Sequence, residues 1–456
     1  MYYSRQRGMA LLIVLSVIAV IVMIVAQLSE RLDFTVRRTM SIENSQMAFN
    51  EALGYEAKVK HILQNRNQIL ESMGPQVAQL MSGDVDTYFI MEQFNLFLEQ
   101  GIALEEGSLI QSLSGRAKDL HSCFNLNSIG RDGDPQASGG RESAGSIIVV
   151  DENTQPPEPT VGFAMYRRLI EQVVPLDADP LLHENLTNAL KDWVDSDRRG
   201  EYEETAYEEY RPANGYMASL TELKAVKHYL DVVEVVDEED PTQVTQKTVF
   251  ELLKDYVCVR GPGDNSVALN PHAIGGEKPE LIMSFFSESN DDFEEKVAGF
   301  LQEQSGAPDD LEAMIGAGVG AGIPSKVEAI NDFKALMEKD EFKELRAKLV
   351  HEKLKALVPE DNNQQSGSSN NNRNQNINNS QSPNNGQNSR ESEVYITPQS
   401  EYFELTGKVL METGGVVLTT MFQKSQNSGQ PSQGQRQENA AGPTIRVVRR
   451  TLGDTL

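Results

Sequence analysis

Apolar residues recur along this chain in three different rhythms, and each predicts a different element. Residues 9–26 are apolar apart from Ser16 and follow Arg5 and Arg7. A helix of that length covers about 27 Å, close to the hydrocarbon thickness of a bilayer. The flanking arginines keep the short leading segment on the cytoplasmic side and send the rest of the chain outward. Leu32, Val36, Met40, Met47, Leu53, Val59 and Leu63 then alternate with charges, with no proline and with Gly54 as the one breaker. The reading is a single helix over 9–64, membrane-spanning at 9–26 and amphipathic beyond.

After Gly74 and Pro75 the rhythm changes. Residues 108–113 and 115–124 read as two short strands with Gly115 as the turn between them, and 132–160 as an exposed excursion containing Pro156, Pro157 and Pro159. Helical periodicity follows at 164–174, 181–195, 219–229, 248–256, 279–286, 291–304 and 327–358. Ser219 and Glu222 stand in capping-box order. Residues 362–390 are dominated by Asn, Gln and Ser and offer almost nothing to bury, which predicts disorder, as does the Gln/Ser/Gly tract at 423–442. Strand alternation returns at 401–410, 415–422 and 444–449. Strands early and late with helices between them predict an α+β protein: a long N-terminal transmembrane helix packed on a small antiparallel sheet, with a large all-α domain inserted between strands. The expected divisions are 1–8, 9–64, 65–128, an insert at 129–358, the Asn-rich tract at 359–392, and 393–456.

The 456 residues carry 68 acidic and 41 basic side chains, a formal charge of -27. A phosphate backbone would be repelled over most of such a surface, so nucleic acid is not an expected partner. Cys123 and Cys258 are the two cysteines, and outside the cytoplasm an even pair can form a disulfide. The other reading is two buried thiols serving as small hydrophobes.

Histidines at 61, 121, 183, 228, 272 and 351 are scattered, no HExxH or GxSxG occurs, and the glycine run at 316–322 follows no strand. No enzyme is expected. The most chemically suggestive run is Asp192-Trp-Val-Asp195-Ser-Asp197-Arg-Arg-Gly200-Glu201-Tyr-Glu203-Glu204. Its first, third and sixth loop positions suit an EF-hand, but Arg199 and Ala206 occupy the fifth and twelfth. It is not that motif, although several carboxylates in one loop can supply the oxygens Ca²⁺ needs. A solvated acidic loop relieved by Arg198 and Arg199 is the plainer alternative.

The leading segment ends in Gly8 and runs directly into Met9-Ala-Leu-Leu, which resembles the leader of prepilins and pseudopilins. That resemblance implies cleavage after Gly8, N-methylation of Met9 by a prepilin peptidase, and retention of the helix in the membrane until assembly. Most family members carry glutamate at the fifth mature position, where this chain has Ile13. A buried carboxylate there neutralises a neighbouring subunit's N-terminal ammonium, and an unpaired charge in an apolar filament costs several kcal/mol. Ile13 therefore points to a place at the filament end.

Asp119-Leu-His-Ser-Cys-Phe-Asn-Leu-Asn127, Leu190-Lys-Asp-Trp-Val-Asp-Ser-Asp197, Tyr210-Arg-Pro-Ala-Asn-Gly215, Met217-Ala-Ser-Leu-Thr-Glu-Leu223 and Tyr256-Val-Cys258 resemble, in that order, the K-type minor pseudopilin of type II secretion systems. The resemblance covers residues 5–304 and resumes in the C-terminal strands. It implies a pilin-like sheet interrupted by a helical domain and a tip complex with the I- and J-type minor pseudopilins. The major pseudopilin, the prepilin peptidase and the inner-membrane assembly platform would be the other partners. It also implies calcium at Asp195, Asp197, Glu201, Glu203 and Glu204, and an inner-membrane location with the body in the periplasm. A type IV pilus minor pilin or adhesin tip subunit, or a membrane-anchored periplasmic scaffold, would share the leader and helix.

Overall fold

The structure, a computed structural model, describes residues 6–64, 88–100, 110–130, 160–176, 180–195, 200–203, 206–208, 210–236, 243–261, 264–287, 291–304, 348–350, 395–397, 399–411, 414–425 and 444–454, together with Phe333 and Leu354. Helix α1 (Gln6–Gln64) is unbroken through Gly54 and is about 88 Å long at the standard rise per residue. Its apolar part, Ile13 included, is exposed, and it is long and apolar enough to cross a membrane.

The second half of α1 buries Ala48, Ala52, Tyr55, Glu56, Val59 and Leu63, a stripe with helical spacing. Of the apolar positions expected on this stem, Val59 and Leu63 are in the stripe, whereas Leu32, Val36 and Met40 are exposed. The stripe begins with alanines because small side chains let the helix lie close to a sheet. That sheet is antiparallel, with strand order β1 (Ile110–Asp119), β6 (Tyr402–Met411), β7 (Gly414–Ser425), β8 (Thr444–Asp454). Register runs Asp119↔Phe403, Phe403↔Phe422 and Ser425↔Thr444. Alternate residues Phe403, Leu405, Val409, Val416, Leu418 and Phe422 face α1 and form one core with it.

Gly115 is not a turn. It lies mid-strand in β1 opposite Gly407, and both glycines make room for the ring of Tyr55. A Cβ at Gly115 would stand 2.7 Å from Tyr55 Cε1. The expected hairpin at 108–124 is therefore one ten-residue strand followed by a turn and a short second element. Glycine marks close approach here, a use that looks identical to a turn in sequence.

Between β1 and β6 the chain builds a second, larger core. Its helices include α3 (Val161–Val173), α4 (Leu182–Val194), α5 (Val249–Leu253), α6 (Pro271–Ile274), α7 (Glu280–Met283) and α8 (Asp291–Gln304). The capping box at Ser219 and Glu222 is present, but it opens only a short 3-10 helix at Leu220–Ala225. The insert is not all-α. β2 (Phe124–Asn125) pairs in parallel with β5 (Val257–Cys258), and β3 (Val232–Val236) forms a hairpin with β4 (Val244–Thr248). The β-branched run Val-Val-Glu-Val-Val at β3 was a legible strand signal. Helix α2 (Tyr88–Gln100) lies against β1, where Asn95 donates to the carbonyl of Ala117 at 2.9 Å and accepts from its N–H at 2.7 Å. The proline-rich excursion expected at 132–160 (all but Thr160), nearly all of the helix expected at 327–358, the glycine run at 316–322, the tract at 362–390 and residues 426–442 of the second tract lie outside the described residues, whereas Gln423, Lys424 and Ser425, expected to be disordered, form the end of β7.

Candidate functional site

Of the acidic run, Asp195 and Glu203 are buried and Glu201 is exposed, while Asp197 and Glu204 lie outside the described residues. Asp195 closes α4, its N–H donating to Lys191 O at 2.9 Å. Asp192, one turn earlier and also buried, accepts from the N–H of Tyr202 at 2.9 Å. Any Cβ at Gly200 would overlap the Asp192 carboxylate, so glycine is what lets the loop fold back on the helix. Asn214, at a positive φ of 43°, donates to Glu203 Oε2 at 3.2 Å. Trp193 floors the loop, edge-on to Tyr207 at 5.8 Å.

Three buried carboxylates, Asp192, Asp195 and Glu203, thus gather around one glycine-enabled loop. Their all-oxygen chemistry suits a hard cation. Among the described residues, however, no group of three His, Cys, Asp or Glu side chains is disposed to hold a metal ion.

A second polar constellation sits where the chain leaves and re-enters the sheet. The structure joins Cys123 and Cys258 as a disulfide, with Cα atoms 5.7 Å apart, beside Leu120 and Met421. Around it, Asn125 donates to Asp264 O at 2.9 Å and Ser266 O at 3.2 Å, and accepts from Arg260 N at 3.3 Å. Asn127 clasps Met217 from both sides, accepting from its N–H at 2.8 Å and donating to its carbonyl at 3.1 Å. Arg260 is fully buried, donating to Ala268 O at 2.8 Å and Ser266 Oγ at 3.2 Å. Burial pulls its guanidinium below the ordinary range while Asp264 and Asp119 work against that. Burial, reinforced by the charge of Arg260, holds His121 well below the usual histidine range. The returning segment is fixed by Leu269 pairing with Ile396 and by Asn270 donating to Ser400 Oγ at 2.9 Å.

The third constellation fastens α1. The Glu56 carboxylate accepts from Arg450 Nε at 2.7 Å, Arg450 Nη2 at 2.8 Å and Thr420 Oγ1 at 2.8 Å. Burial would raise its pKa, but the bonds from Arg450 and Thr420 and the charge of Arg450 hold it below the ordinary carboxylate range. Gly8 and Met9 lie within the continuous helix, with no break between them.

Sequence reasoning placed Asp195 and Glu203 in the loop and singled out both cysteines. It missed Asp192 as a loop-forming carboxylate, Arg260 as the buried centre of the junction, and Glu56. The quoted runs containing Asn125, Asn127 and Cys258 were the available signal for the junction; Glu56 had none beyond its place in the stem.

One apolar helix continuing as a stem against a four-stranded antiparallel sheet, with a module inserted between adjacent strands, defines a helix-on-sheet protein with, among the described residues, one candidate membrane anchor. A family model described as type II secretion system protein K matches residues 122–233. Type II secretion system protein K of Aeromonas hydrophila is 30% identical over 290 residues, covering 62% of this chain and 71% of that protein. The protein of the same name from Dickeya chrysanthemi is 27% identical over 311 residues, covering 64% and 77%. The chain belongs to the type II secretion system protein K family, the K-type minor pseudopilins. A solved complex, GspK–GspI–GspJ of the type 2 secretion system from enterotoxigenic Escherichia coli, matches over 90% of this chain and 98% of that one at 13% identity and a TM-score of 0.42, too loose to align the two folds in detail.

Proposed function

We propose that this chain is the minor pseudopilin at the tip of a type II secretion pseudopilus, initiating or capping the filament that exports folded proteins from the periplasm across the outer membrane. The observation that carries this reading is α1: an apolar segment with Ile13 where most such helices carry glutamate, continuous with a stem buried on the sheet. Without a carboxylate at Ile13 the subunit does not neutralise another subunit's N-terminus, which suits a filament end. The leader is cut after Gly8 by the prepilin peptidase and Met9 is N-methylated. The body then stands in the periplasm, anchored in the inner membrane, and meets the I- and J-type minor pseudopilins, the major pseudopilin and the assembly platform. That the related solved protein is recorded in complex with GspI and GspJ supports the first two partners.

The role is one of assembly and not catalysis. Calcium would be held by Asp195, Asp197, Glu201, Glu203 and Glu204, and bound there it would tie the acidic loop together. The disulfide between Cys123 and Cys258 forms on export, in an oxidising compartment.

Intact mass and N-terminal sequencing of the membrane-extracted chain, with and without the peptidase, test the reading. A mature protein starting at methylated Met9 only when the peptidase is present supports it; a chain starting at Met1 in both cases leaves the anchored scaffold as the better account. Calcium is tested separately by melting the protein with and without a chelator, and an unchanged transition removes the ion from the picture.

A further inference from the structure

The two faces of the main sheet are covered in different ways. On the α1 side a large apolar core is closed by the Glu56–Arg450 pair, with bonds of 2.7 and 2.8 Å. The other face meets the insert. There the apolar contact is small and lies beside the chain crossing: Leu120, Cys123, Cys258 and Met421, with Tyr402 and Val448 against them. Gly261 seats the insert at this spot, since a Cβ on it would stand 3.2 Å from Tyr402 Cε1 and 3.4 Å from Val448 Cγ1.

Away from the crossing the contact turns ionic. Lys118 of β1, Glu404 of β6 and Arg449 of β8 stand in one row across the sheet, with Met421 of β7 between the last two. The insert brings Asp255 and Lys278 to Lys118, and Glu222 to Arg449. Lys278 also donates to the carbonyl of Asp255 at 3.0 Å, and Arg116, the remaining charge acting on Lys118, reaches toward Glu92 and Glu99 of α2 at 3.7 and 3.8 Å. The pairing within this seam is loose. Arg449 and Glu404 are 3.6 Å apart, and Lys118 makes no ion pair with any described residue. Loss of water, with the like charge of Lys278 next in weight, pushes the Lys118 ammonium down to about 8, and burial lowers Arg449 as well. Charges taken from water without close partners oppose the contact that buries them. A small, polar interface between two parts of one chain leaves them free to move against each other.

We infer that the insert is hinged: it pivots at the crossing beside Cys123–Cys258, and its ionic seam with the sheet, Lys118, Glu404 and Arg449 against Asp255, Lys278 and Glu222, opens and closes without unfolding either core. Opening returns Lys118 to water. The closed form binds the Lys118 proton less tightly than the open form, so closure is weakest below about pH 8 and strengthens as pH rises toward the ordinary lysine value of about 10.4. The motion belongs to the single chain and requires no partner subunit.

The test uses the full chain in detergent with spin labels on Lys408→Cys in β6 and Glu184→Cys in α4, both exposed positions, and reads their separation by double electron–electron resonance. Two distance populations are expected at pH 7.5, with the open-to-closed ratio falling about fivefold or more by pH 9. Lys118→Met is expected to lower that ratio at pH 7.5 and to abolish its response to pH, whereas Glu404→Gln raises it. A single distance in every chain overturns the hinge. Two populations that ignore pH and both substitutions overturn the seam as its control. Hydrogen exchange closes the remaining escape: if α4 amides exchange in step with opening, the insert is unfolding and the hinge is overturned. If Lys118→Met fails to fold, the pH response of the otherwise wild-type chain decides alone.

Discussion

In the helix–sheet body, buried positions follow a period: every third or fourth residue of α1 and every second residue of β6 and β7. In the insert, burial follows no period for long. Short helices are joined by turns whose backbone groups are satisfied by Asn125, Asn127, Arg260 and the capping boxes at Ser219 and Thr248. The body is therefore specified by side-chain size along regular elements. The insert is specified by a few polar side chains that reach backbone far away in sequence, and each such contact carries the entropy cost of closing a long loop.

The largest break in this contrast comes from the disulfide. Replacing Cys123 and Cys258 by serine, or reducing the pair, opens a closure of 135 residues, worth about 4–5 kcal/mol in the chain-entropy account. Denaturant unfolding is expected to become two transitions, with the insert melting first and the body unchanged. A loss spread equally over both would show that the two cores do not unfold separately.

Next, Gly115→Val drives a side chain into the ring of Tyr55 and is expected to cost about 1–3 kcal/mol, all in the body. Tyr55→Leu in the same chain should recover part of that loss, since neighbouring substitutions couple.

Glu56→Gln is expected to cost a similar or smaller amount, about 1–3 kcal/mol, because Arg450 is partly exposed and regains water. Glu56 has a folded pKa below its unfolded value. Its contribution is present above the ordinary glutamate pKa of about 4.3 and is lost as pH falls through the folded value, so the variant's stability should be flatter across that acid range.

The smallest effect at neutral pH is His121→Gln. His121 is held neutral in the fold, so the unfolded chain takes up its proton first. Stability from this group is full above about 6.5 and declines as pH falls toward the lower folded value. Thermal melts between pH 7.5 and 5 should show the wild type losing stability in the insert and the variant losing less.

The same contrast explains what could be read from the sequence. The apolar run, the stem, helix α8 at 291–304 and the late strands were legible because period alone determines them. Gly115 misled because a glycine for close approach and a glycine for a turn are the same letter. β3 was lost inside a helical stretch although its valines signalled a strand. The acidic loop was visible through Asp195 and Glu203, whereas Asp192, Arg260 and Glu56 owe their roles to burial and to partners far along the chain, which no local window contains. Ala48 and Ala52 were passed over because small residues add little to an apolar pattern even when they set how closely a helix can lie.

The chain leaves the sheet at Asp119 and returns at Tyr402, and Asp119 stands opposite Phe403 in neighbouring antiparallel strands. The insert therefore hangs from two adjacent strand ends at one edge of the sheet's height. A pull on the insert along the strand direction, with α1 held at the far end, stretches β1 and β6 together and does not slide one past the other. The tension passes into the β6–β7 ladder as shear across ten paired residues and through Tyr55 into the helix, while the Cys123–Cys258 bond keeps the outgoing crossing tied to the insert so that it does not peel away.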